Sequence, residues 1–522
     1  MRVITFGMNH FLSIILAASS VLTGFSAASP AQSPRVDGFG VEMNALPTLT
    51  VENIEPLMLQ VESTGVRYIR QEIDWSLIET SPDVYDWSAV VPLDLLFASA
   101  NAHDIQIVAT LIGGPSYLAS SGQLVDRSAL RDRWQNFVQA AVDHFGEVVD
   151  IWEIGSAVNS SYALTPFLSP LSPDDPVGPD PAYYTKLLRS ASKIIKTADP
   201  NDQVWLGSLT GVSASDCAMN PLTFILEVNA AKGWSSMDAI LYQPNQGSAA
   251  PEYPATAAIN SACVSSLMVT PASITEEVQT IQDLARQLGG KPVIVTGLSW
   301  SGDDLAVLSS DREISSDQVE ADLLVRASTA LMAQNSIPTI FWHTDISSNP
   351  SSLNALINLQ QSLRNTKPLG QVQGQDGSVY EYRFRKGGEY TIIAWRTLEG
   401  DAPYPVTLEV SDIPSLTAWT DDSAGLSKDF GLQLPANDSN QVVVMLNERP
   451  VIFIGRSGDL LSNAKQTIED QAELWKIEAQ NLLSQWLNNA KAEFMDLLAK
   501  ELDKAKESAI QWGENKLDEL LP

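Results

Sequence analysis

The chain has 522 residues, of which 44% are hydrophobic and 18% are charged, and its formal net charge is −31 at pH 7. This composition is typical of a soluble globular protein, so it excludes a disordered chain and a protein of many membrane spans. The strong negative charge repels phosphate groups and therefore excludes nucleic acid and anionic lipid as charge-driven partners. The length predicts two or three domains.

The N-terminal segment 1–28 has the features of a secretory signal. Met1 and Arg2 precede an apolar run, Phe11–Phe25, and small residues follow up to Ala28. The run is shorter than the roughly 20 apolar residues that a membrane span needs, so we expect cleavage near Ala28 rather than an uncleaved anchor. No later segment is apolar enough to cross a bilayer. The sequence therefore predicts a secreted or extracytoplasmic protein with no transmembrane span after cleavage.

Residues 34–358 alternate short β-branched runs with longer amphipathic stretches, a pattern typical of strand–helix units around a parallel sheet. The predicted strands are Gly38–Val41, Tyr68–Glu72, Ile105–Leu111, Val149–Ile154, Val204–Ser208, Ala239–Tyr242, Val293–Thr296 and Thr339–Trp342. Apolar residues three and four positions apart predict helices most clearly at Asp132–His144, Tyr183–Ala198 and Ala321–Ala333. Eight strands with helices between them indicate an α/β fold, a (β/α)₈ TIM barrel.

After Thr366–Pro368 the apolar period changes to two, which predicts a small antiparallel β-sandwich over residues 369–456. Its predicted strands are Val379–Arg385, Tyr390–Trp395, Val406–Val410, Gln441–Leu446 and Val451–Ile454.

The last segment, 459–522, contains no proline before Pro522, and its apolar residues recur at helical spacing. It predicts a long amphipathic helical segment whose apolar stripe needs a partner. A helical hairpin, a self-associating coiled coil, docking on another protein and packing on the chain's own barrel all remain open.

Several short motifs resemble retaining glycoside hydrolases of clan A. They comprise Val66–Arg70, Trp75, Ile78–Glu79, Tyr85–Trp87 and Gly113–Ser116. The resemblance continues through the later strands to Arg449–Ile454 and so covers residues 36–456. It implies a TIM barrel with an acid/base glutamate at the end of the fourth strand and a nucleophile glutamate at the end of the seventh. A retaining enzyme needs these two carboxyl groups about 5–5.5 Å apart to protonate the leaving oxygen and attack the anomeric carbon.

Both of these positions hold residues that cannot do the chemistry. The family pattern on the fourth strand is close to Trp-Glu-Ile-Trp-Asn-Glu-Pro-Asn, and the matching segment Trp152–Asn159 has Ala157 at the acid/base position. On the seventh strand the family resembles Lys-Pro-Val-Trp-Val-Thr-Glu-Phe-Gly-Trp, and Lys291–Trp300 has Gly297 at the nucleophile position. On the sixth strand Leu241–Pro244 departs from a His-Pro-Tyr-like sequence. The resemblance therefore implies a degenerate, catalytically inactive pseudo-glycosidase.

Other carboxylates lie near the strand ends, and two of them could form a relocated pair in an active glycosidase. These are Glu42, Glu72, Asp74, Glu153 and Asp345. The alternative is that they are buried ion pairs, with Arg70 as a partner, or loop acids exposed to solvent.

Aromatic and polar residues remain where the family would have a sugar cleft, and aromatic faces stack on sugar rings without any catalytic group. The candidate ligand-binding residues are Arg70, Trp75, Tyr242, Gln243, Trp300, Trp342 and His343. The alternative is that these rings pack as core beneath the loops.

The sequence thus predicts an exported glycoside-hydrolase-like protein that binds carbohydrate without turnover. Two alternatives remain: an active glycosidase with relocated carboxylates, and a scaffold that presents the C-terminal helical segment to a protein partner. The two cysteines, Cys217 and Cys263, predict one disulfide in an oxidising compartment, in the loops after strands five and six. With only four histidines, no metal site and no cofactor are expected.

Overall fold

A computed structural model describes most of the chain between Gly38 and Ser457. The described ranges are 38–43, 49–115, 117, 127–160, 179–211, 218–255, 272–300, 302–310, 314–335, 337–373, 377–397, 403–410, 413–419 and 432–457. The signal segment 1–28, the helical segment 459–522, Cys217 and Cys263 lie outside the described residues. The export signal, the C-terminal helix and the disulfide therefore stay predictions.

Eight parallel strands close into a barrel, which confirms the predicted fold class. They are β1 (Gly38–Glu42), β2 (Tyr68–Asp74), β3 (Gln106–Ile112), β4 (Ile151–Ile154), β5 (Gln203–Thr210), β6 (Ala239–Gln243), β7 (Val293–Leu298) and β8 (Thr339–Trp342). Each strand pairs with the next in chain order, and β8 closes the barrel on β1 with Gly38 opposite Thr339.

Helices follow the strands and cover the outside of the barrel. They are α1 (Val51–Thr64), α2 (Val91–Ala102), α3 (Arg127–Phe145), α4 (Pro181–Ala198), α5 (Pro221–Ala230), α6 (Ile274–Gln287), α7 (Gly302–Ser309), α8 (Ser316–Gln334) and α9 (Pro350–Leu363). α4 shows why they begin where they do: Asp180 accepts a hydrogen bond from the Tyr183 N–H at 2.9 Å, and a proline occupies the first helical position. α9 extends beyond the predicted barrel end at residue 358. None of the helices among the described residues is both long and apolar enough for a bilayer span.

The barrel interior has an apolar layer below a polar one. Alternate residues of a strand point to opposite faces, so one set fills the barrel and the other packs against the helices. The apolar layer comprises Val108, Ile151, Trp205, Ala239, Leu241, Ile294 and Phe341. Two residues further along their strands, Thr110, Glu153, Gln243 and Thr296 continue the same inward set toward the carboxyl ends.

Two antiparallel sheets follow the barrel, as predicted. The strands are β9 (Lys367–Gln373), β10 (Val379–Lys386), β11 (Glu389–Arg396), β12 (Tyr404–Glu409), β13 (Ser415–Trp419), β14 (Leu432–Pro435), β15 (Gln441–Leu446) and β16 (Val451–Arg456). One sheet has the order β9-β10-β11-β16-β13-β14, and β12 pairs with β15 in the second. Ile392 and Phe453 of the first sheet share an apolar core with Leu408 and Val444 of the second. The sequence pattern did not predict β9, β13 or β14. β13 and β14 are short, and β9 is interrupted by Pro368 and a register shift.

The first sheet also packs on the barrel. Arg326 of α8 forms a bidentate ion pair with Glu252, and both side chains are almost fully buried. The Arg326 guanidinium lies 5.9 Å from the ring centre of Trp395 on β11.

By residue contacts the chain divides into two compact units. The barrel and the β-sheet residues 390–455 belong to the first, and among the described residues the second comprises 387–389, 456 and 457. Within the described part of the second unit, Arg456 pairs with Glu389 at 3.1 Å.

Candidate functional site

The carboxyl ends of the parallel strands meet at one face of the barrel, where TIM barrels hold their functional residues. Ala157 lies just beyond β4 with a φ of 49°, and Gly297 lies in β7 with a φ of 62°. Both backbones are therefore left-handed, which costs a residue with a side chain roughly 1–2 kcal/mol. The loops after β4, β5 and β6 fall largely outside the described residues. The described part of the site, called the floor, is formed by side chains near the strand ends. They are Glu42, Arg70, Glu153, Gln243 and His343, together with the Gly297 backbone.

A buried ion pair anchors this floor. Arg70 of β2 donates two hydrogen bonds to the Glu153 carboxylate of β4, from Nε at 2.6 Å and from Nη2 at 3.0 Å. Glu153 has no exposed surface, and its oxygens also accept from Thr110 Oγ1 at 2.6 Å and from the Ser208 N–H at 2.9 Å. All the donors point at a charge that water cannot reach. The bidentate pair therefore fixes the carboxylate in the barrel interior.

Glu42, at the end of β1, lies on the other side of Arg70. Its Oε2 is 3.2 Å from Arg70 Nη1, and its Oε1 accepts hydrogen bonds from Thr296 Oγ1 and from the Gly297 N–H, the latter at 2.5 Å. Burial alone would raise the pKa of Glu42, but Arg70 and the hydrogen bonds from His343 and Thr296 outweigh burial and lower this pKa to about 2. Glu42 is therefore a charged group with both oxygens engaged.

His343 links this network to solvent. Its Nδ1 lies 2.9 Å from Glu42 Oε2, while 62% of its side chain is exposed. The hydrogen bond to Glu42 raises the pKa of His343 above its ordinary value of 6.5. His343 is therefore a solvent-accessible member of the network.

Gly297 is in contact with the side chain of Gln243 from β6. A Cβ atom at position 297 would lie 2.4 Å from Gln243 Cδ and 2.6 Å from Gln243 Nε2. Both distances are shorter than the non-bonded contacts that Cβ atoms make in proteins. The Gln243 side chain therefore fills the space that any side chain at 297 would enter.

The remaining candidate acids are Glu72, Asp74 and Asp345. Burial raises the pKa of Glu72; Arg70 opposes the rise, and Glu153 and Glu42 add to it. Asp74 caps the one-turn helix Trp75–Ile78 by accepting from the Ser76 N–H at 2.8 Å. Asp345 is exposed and accepts from the Ser347 N–H at 3.0 Å in the turn after β8. Asp74 and Asp345 therefore have structural roles in turns.

The candidate ligand-binding residues divide into two groups. Arg70, Gln243 and His343 come together at the floor, as described above. The four aromatic residues are at most 3% exposed and lie in the core; they are Trp75, Tyr242, Trp300 and Trp342. Their burial leaves no free ring face for a sugar, so they are not part of the candidate binding surface.

Each buried aromatic residue has a protein partner. Trp75 stacks on Phe137 of α3 with ring centres 5.0 Å apart. The Tyr242 hydroxyl donates to Glu277 of α6 at 2.7 Å, and the Trp342 Nε1 donates to Ser328 of α8 at 2.9 Å. In the loop after β7, the Trp300 Nε1 donates to the Ala249 carbonyl at 3.0 Å.

Sequence reasoning missed several polar residues that orient the site. Thr110, Ser208 and Thr296 donate to Glu153 or Glu42, as given above, and Ser208 Oγ also accepts from the Ala157 N–H at 3.0 Å. Asn159 is fully buried and exchanges hydrogen bonds with the Thr210 backbone at 2.8 and 2.9 Å. Strand alternation could have identified Thr110 and Thr296 as inward-facing residues, because each lies two residues after an inward apolar residue, Val108 or Ile294.

No protein family model matches this sequence, and no curated protein matches it. Solved structures with the same fold include a family 39 glycoside hydrolase from the gut symbiont Bacteroides cellulosilyticus WH2, with a TM-score of 0.58, 16% identity and 81% of each chain covered. A family 30 endoxylanase from Clostridium papyrosolvens C71 gives a TM-score of 0.51 at 12% identity, covering 81% of this chain and 97% of the other. The chain has a glycoside hydrolase-like fold. At these identities the likeness concerns the fold alone.

A third similar structure, a conserved exported protein from Bacteroides fragilis, has a TM-score of 0.54 and 10% identity, covering 80% of this chain and 97% of the other. In this glycoside hydrolase-like barrel, the described floor combines a locked charge network with a neutral amide and an exposed imidazole. Such a floor can donate and accept hydrogen bonds, whereas its most deeply buried carboxylates are already saturated.

Proposed function

We propose that this chain is an exported carbohydrate-binding protein with a glycoside hydrolase fold that does not hydrolyse glycosidic bonds. The single observation that carries the proposal is the pair Gly297 and Gln243, which puts a neutral amide against β7 where the family resemblance implies a nucleophile carboxylate.

The chemistry of a retaining glycosidase requires a proton donor and a nucleophile about 5–5.5 Å apart. Ala157 supplies a methyl group at the position implied for the acid, and Gly297 supplies no side chain at the position implied for the nucleophile. General acid–base catalysis alone contributes typically about 10²–10⁴-fold, so the loss of both groups removes useful turnover.

The buried carboxylates Glu153 and Glu42 are poorly suited to take over. Glu153 has no exposed surface, and both of its oxygens accept hydrogen bonds from the barrel. Both oxygens of Glu42 are likewise engaged, by Arg70, His343, Thr296 and the Gly297 N–H. A carboxylate saturated by donors is a weak nucleophile and cannot donate a proton.

Binding is supported by polar groups of the floor that solvent can reach. The His343 imidazole is largely exposed, and the Gln243 side chain at the end of β6 is half-buried. Donors and acceptors on a fixed scaffold suit the hydroxyl groups of a sugar. The similar endoxylanase makes xylo-oligosaccharides the first ligands to test. Export is supported by the signal-like segment 1–28 and by the similar exported protein.

A second candidate function is an active glycosidase that uses Glu42 and Glu72. The observation that favours it is the opposite direction of their pKa values, lowered to about 2 for Glu42 and raised by burial for Glu72. Paired carboxyl groups with separated pKa values are the arrangement of an acid and an ionised partner. The engagement of both Glu42 oxygens makes this the weaker candidate.

A paired assay of turnover and binding separates the two. Aryl β-glycosides and xylo-oligosaccharides are incubated with the protein, released sugar is measured, and binding is measured by titration calorimetry. We expect binding of at least one oligosaccharide and no sugar release above the buffer blank. Glu42→Gln and Glu72→Gln serve as matched controls. Sugar release that both variants abolish would contradict the proposal and establish the second candidate.

A further inference from the structure

The position of the Gln243 side chain suits contact with a ligand. It ends β6, its side chain points into the barrel, and it lies against the Gly297 backbone on β7. Its side chain is half-buried. An amide has two donors and an acceptor, so it can bind the hydroxyl groups of a ligand.

The carboxylate beside Gly297 is already engaged by other groups of the barrel. The Gly297 N–H donates to Glu42, and Glu42 is in turn paired with Arg70 and hydrogen-bonded to His343. Gln243, Gly297, Glu42 and His343 thus form one continuous chain of contacts across β6, β7, β1 and the end of β8. Within this series of contacts, the group that occupies the space beside β7 is the Gln243 amide, which carries no charge.

We propose that Gln243 is the specificity-determining residue of the floor, and that it binds neutral hydroxyl groups of an intact sugar and gives no preference to a cationic one. The inference rests on the proposed function and adds the substrate class to it. A carboxylate at this place attracts the positive charge that develops at the anomeric carbon during hydrolysis. A neutral amide offers hydrogen bonds without that attraction.

A comparison of a neutral and a cationic ligand tests the inference. Xylobiose and the protonated iminosugar 1,5-dideoxy-1,5-imino-D-xylitol are titrated at pH 7 into the wild-type protein, Gln243→Ala and the nearly isosteric Gln243→Glu. We expect the wild-type protein to bind xylobiose at least as tightly as the iminosugar. Gln243→Ala should weaken xylobiose binding about tenfold, and Gln243→Glu should shift the ratio of the two affinities about tenfold toward the cation.

The outcomes separate the inference from the proposed function. Wild-type protein that binds no sugar and no iminosugar overturns both. Wild-type binding of xylobiose that Gln243→Ala leaves unchanged overturns the inference alone, as does a strong wild-type preference for the cation.

A ligand-free measurement tests the packing on which the inference depends. Gly297→Ala places a Cβ against Gln243, so it should lower the melting temperature more in the wild-type background than in Gln243→Ala, where the space is open. The backbone strain at φ 62° is the same in both backgrounds and cancels in the comparison. Equal losses in the two backgrounds would show that Gln243 does not fill this space.

Discussion

Replacing Arg70 with methionine is expected to lower the free energy of unfolding by about 3–5 kcal/mol. The side chain of Glu153, which Arg70 holds by two hydrogen bonds, has no exposed surface. Removing the guanidinium leaves that carboxylate without a counterion in a place that water does not reach. Glu42 loses its cationic partner on β2 in the same step.

The measurement is denaturant unfolding at pH 7, followed by tryptophan fluorescence. The matched control is Arg286→Met, which breaks an ion pair with Asp283 on α6 between side chains that are 68% and 50% exposed. Exposed pairs contribute about 0–1 kcal/mol, so the control should change little. If Arg70→Met were no more destabilising than Arg286→Met, the buried network would not hold the floor together.

Glu42→Gln is expected to destabilise the protein by about 3 kcal/mol at neutral pH, with a loss that disappears in acid. The pKa of Glu42 falls from its ordinary 4.5 to about 2 in the folded state, and that difference corresponds to about 3 kcal/mol. A group with a lowered folded pKa stabilises the protein above its unfolded pKa. The contribution is therefore fully present above pH 4.5 and is lost as the pH falls toward 2.

The check is the difference in unfolding free energy between wild-type protein and Glu42→Gln at pH 7, 4.5 and 3. His343→Gln tests the opposite sign at the same contact. Because the hydrogen bond to Glu42 raises the pKa of His343, its contribution is present below pH 6.5 and is lost as the pH rises through the raised value. A Glu42→Gln difference that does not change between pH 7 and 3 would contradict the network described here.

The barrel could be predicted from the sequence because each strand is a compact apolar run with a helix-length segment after it. All eight predicted strands coincide with observed ones, and Thr339–Trp342 matches at both ends. β9, β13 and β14 were not predicted because Pro368 interrupts β9, and because β13 and β14 are too short to show the alternation that marks a half-buried sheet.

The site could be predicted only in part. Arg70 was expected to pair with a buried acid, and it pairs with both Glu153 and Glu42. Tyr242 and Trp342 follow the inward residues Leu241 and Phe341, so strand alternation directs them toward the helices. The contact of Glu42 with Thr296 and Gly297 could not be predicted, because it forms only when barrel closure brings β1 near β7.

The most direct test of the central claim is a search for a covalent glycosyl–protein intermediate. The protein is incubated with 2-deoxy-2-fluoroglycosyl fluorides, which trap the nucleophile of a retaining glycosidase, and its intact mass is measured. With Gly297 and Gln243 where the family resemblance implies a nucleophile, the predicted result is an unchanged mass. A mass increase of one fluoroglycosyl unit, mapped to Glu42 or Glu72, would contradict the account.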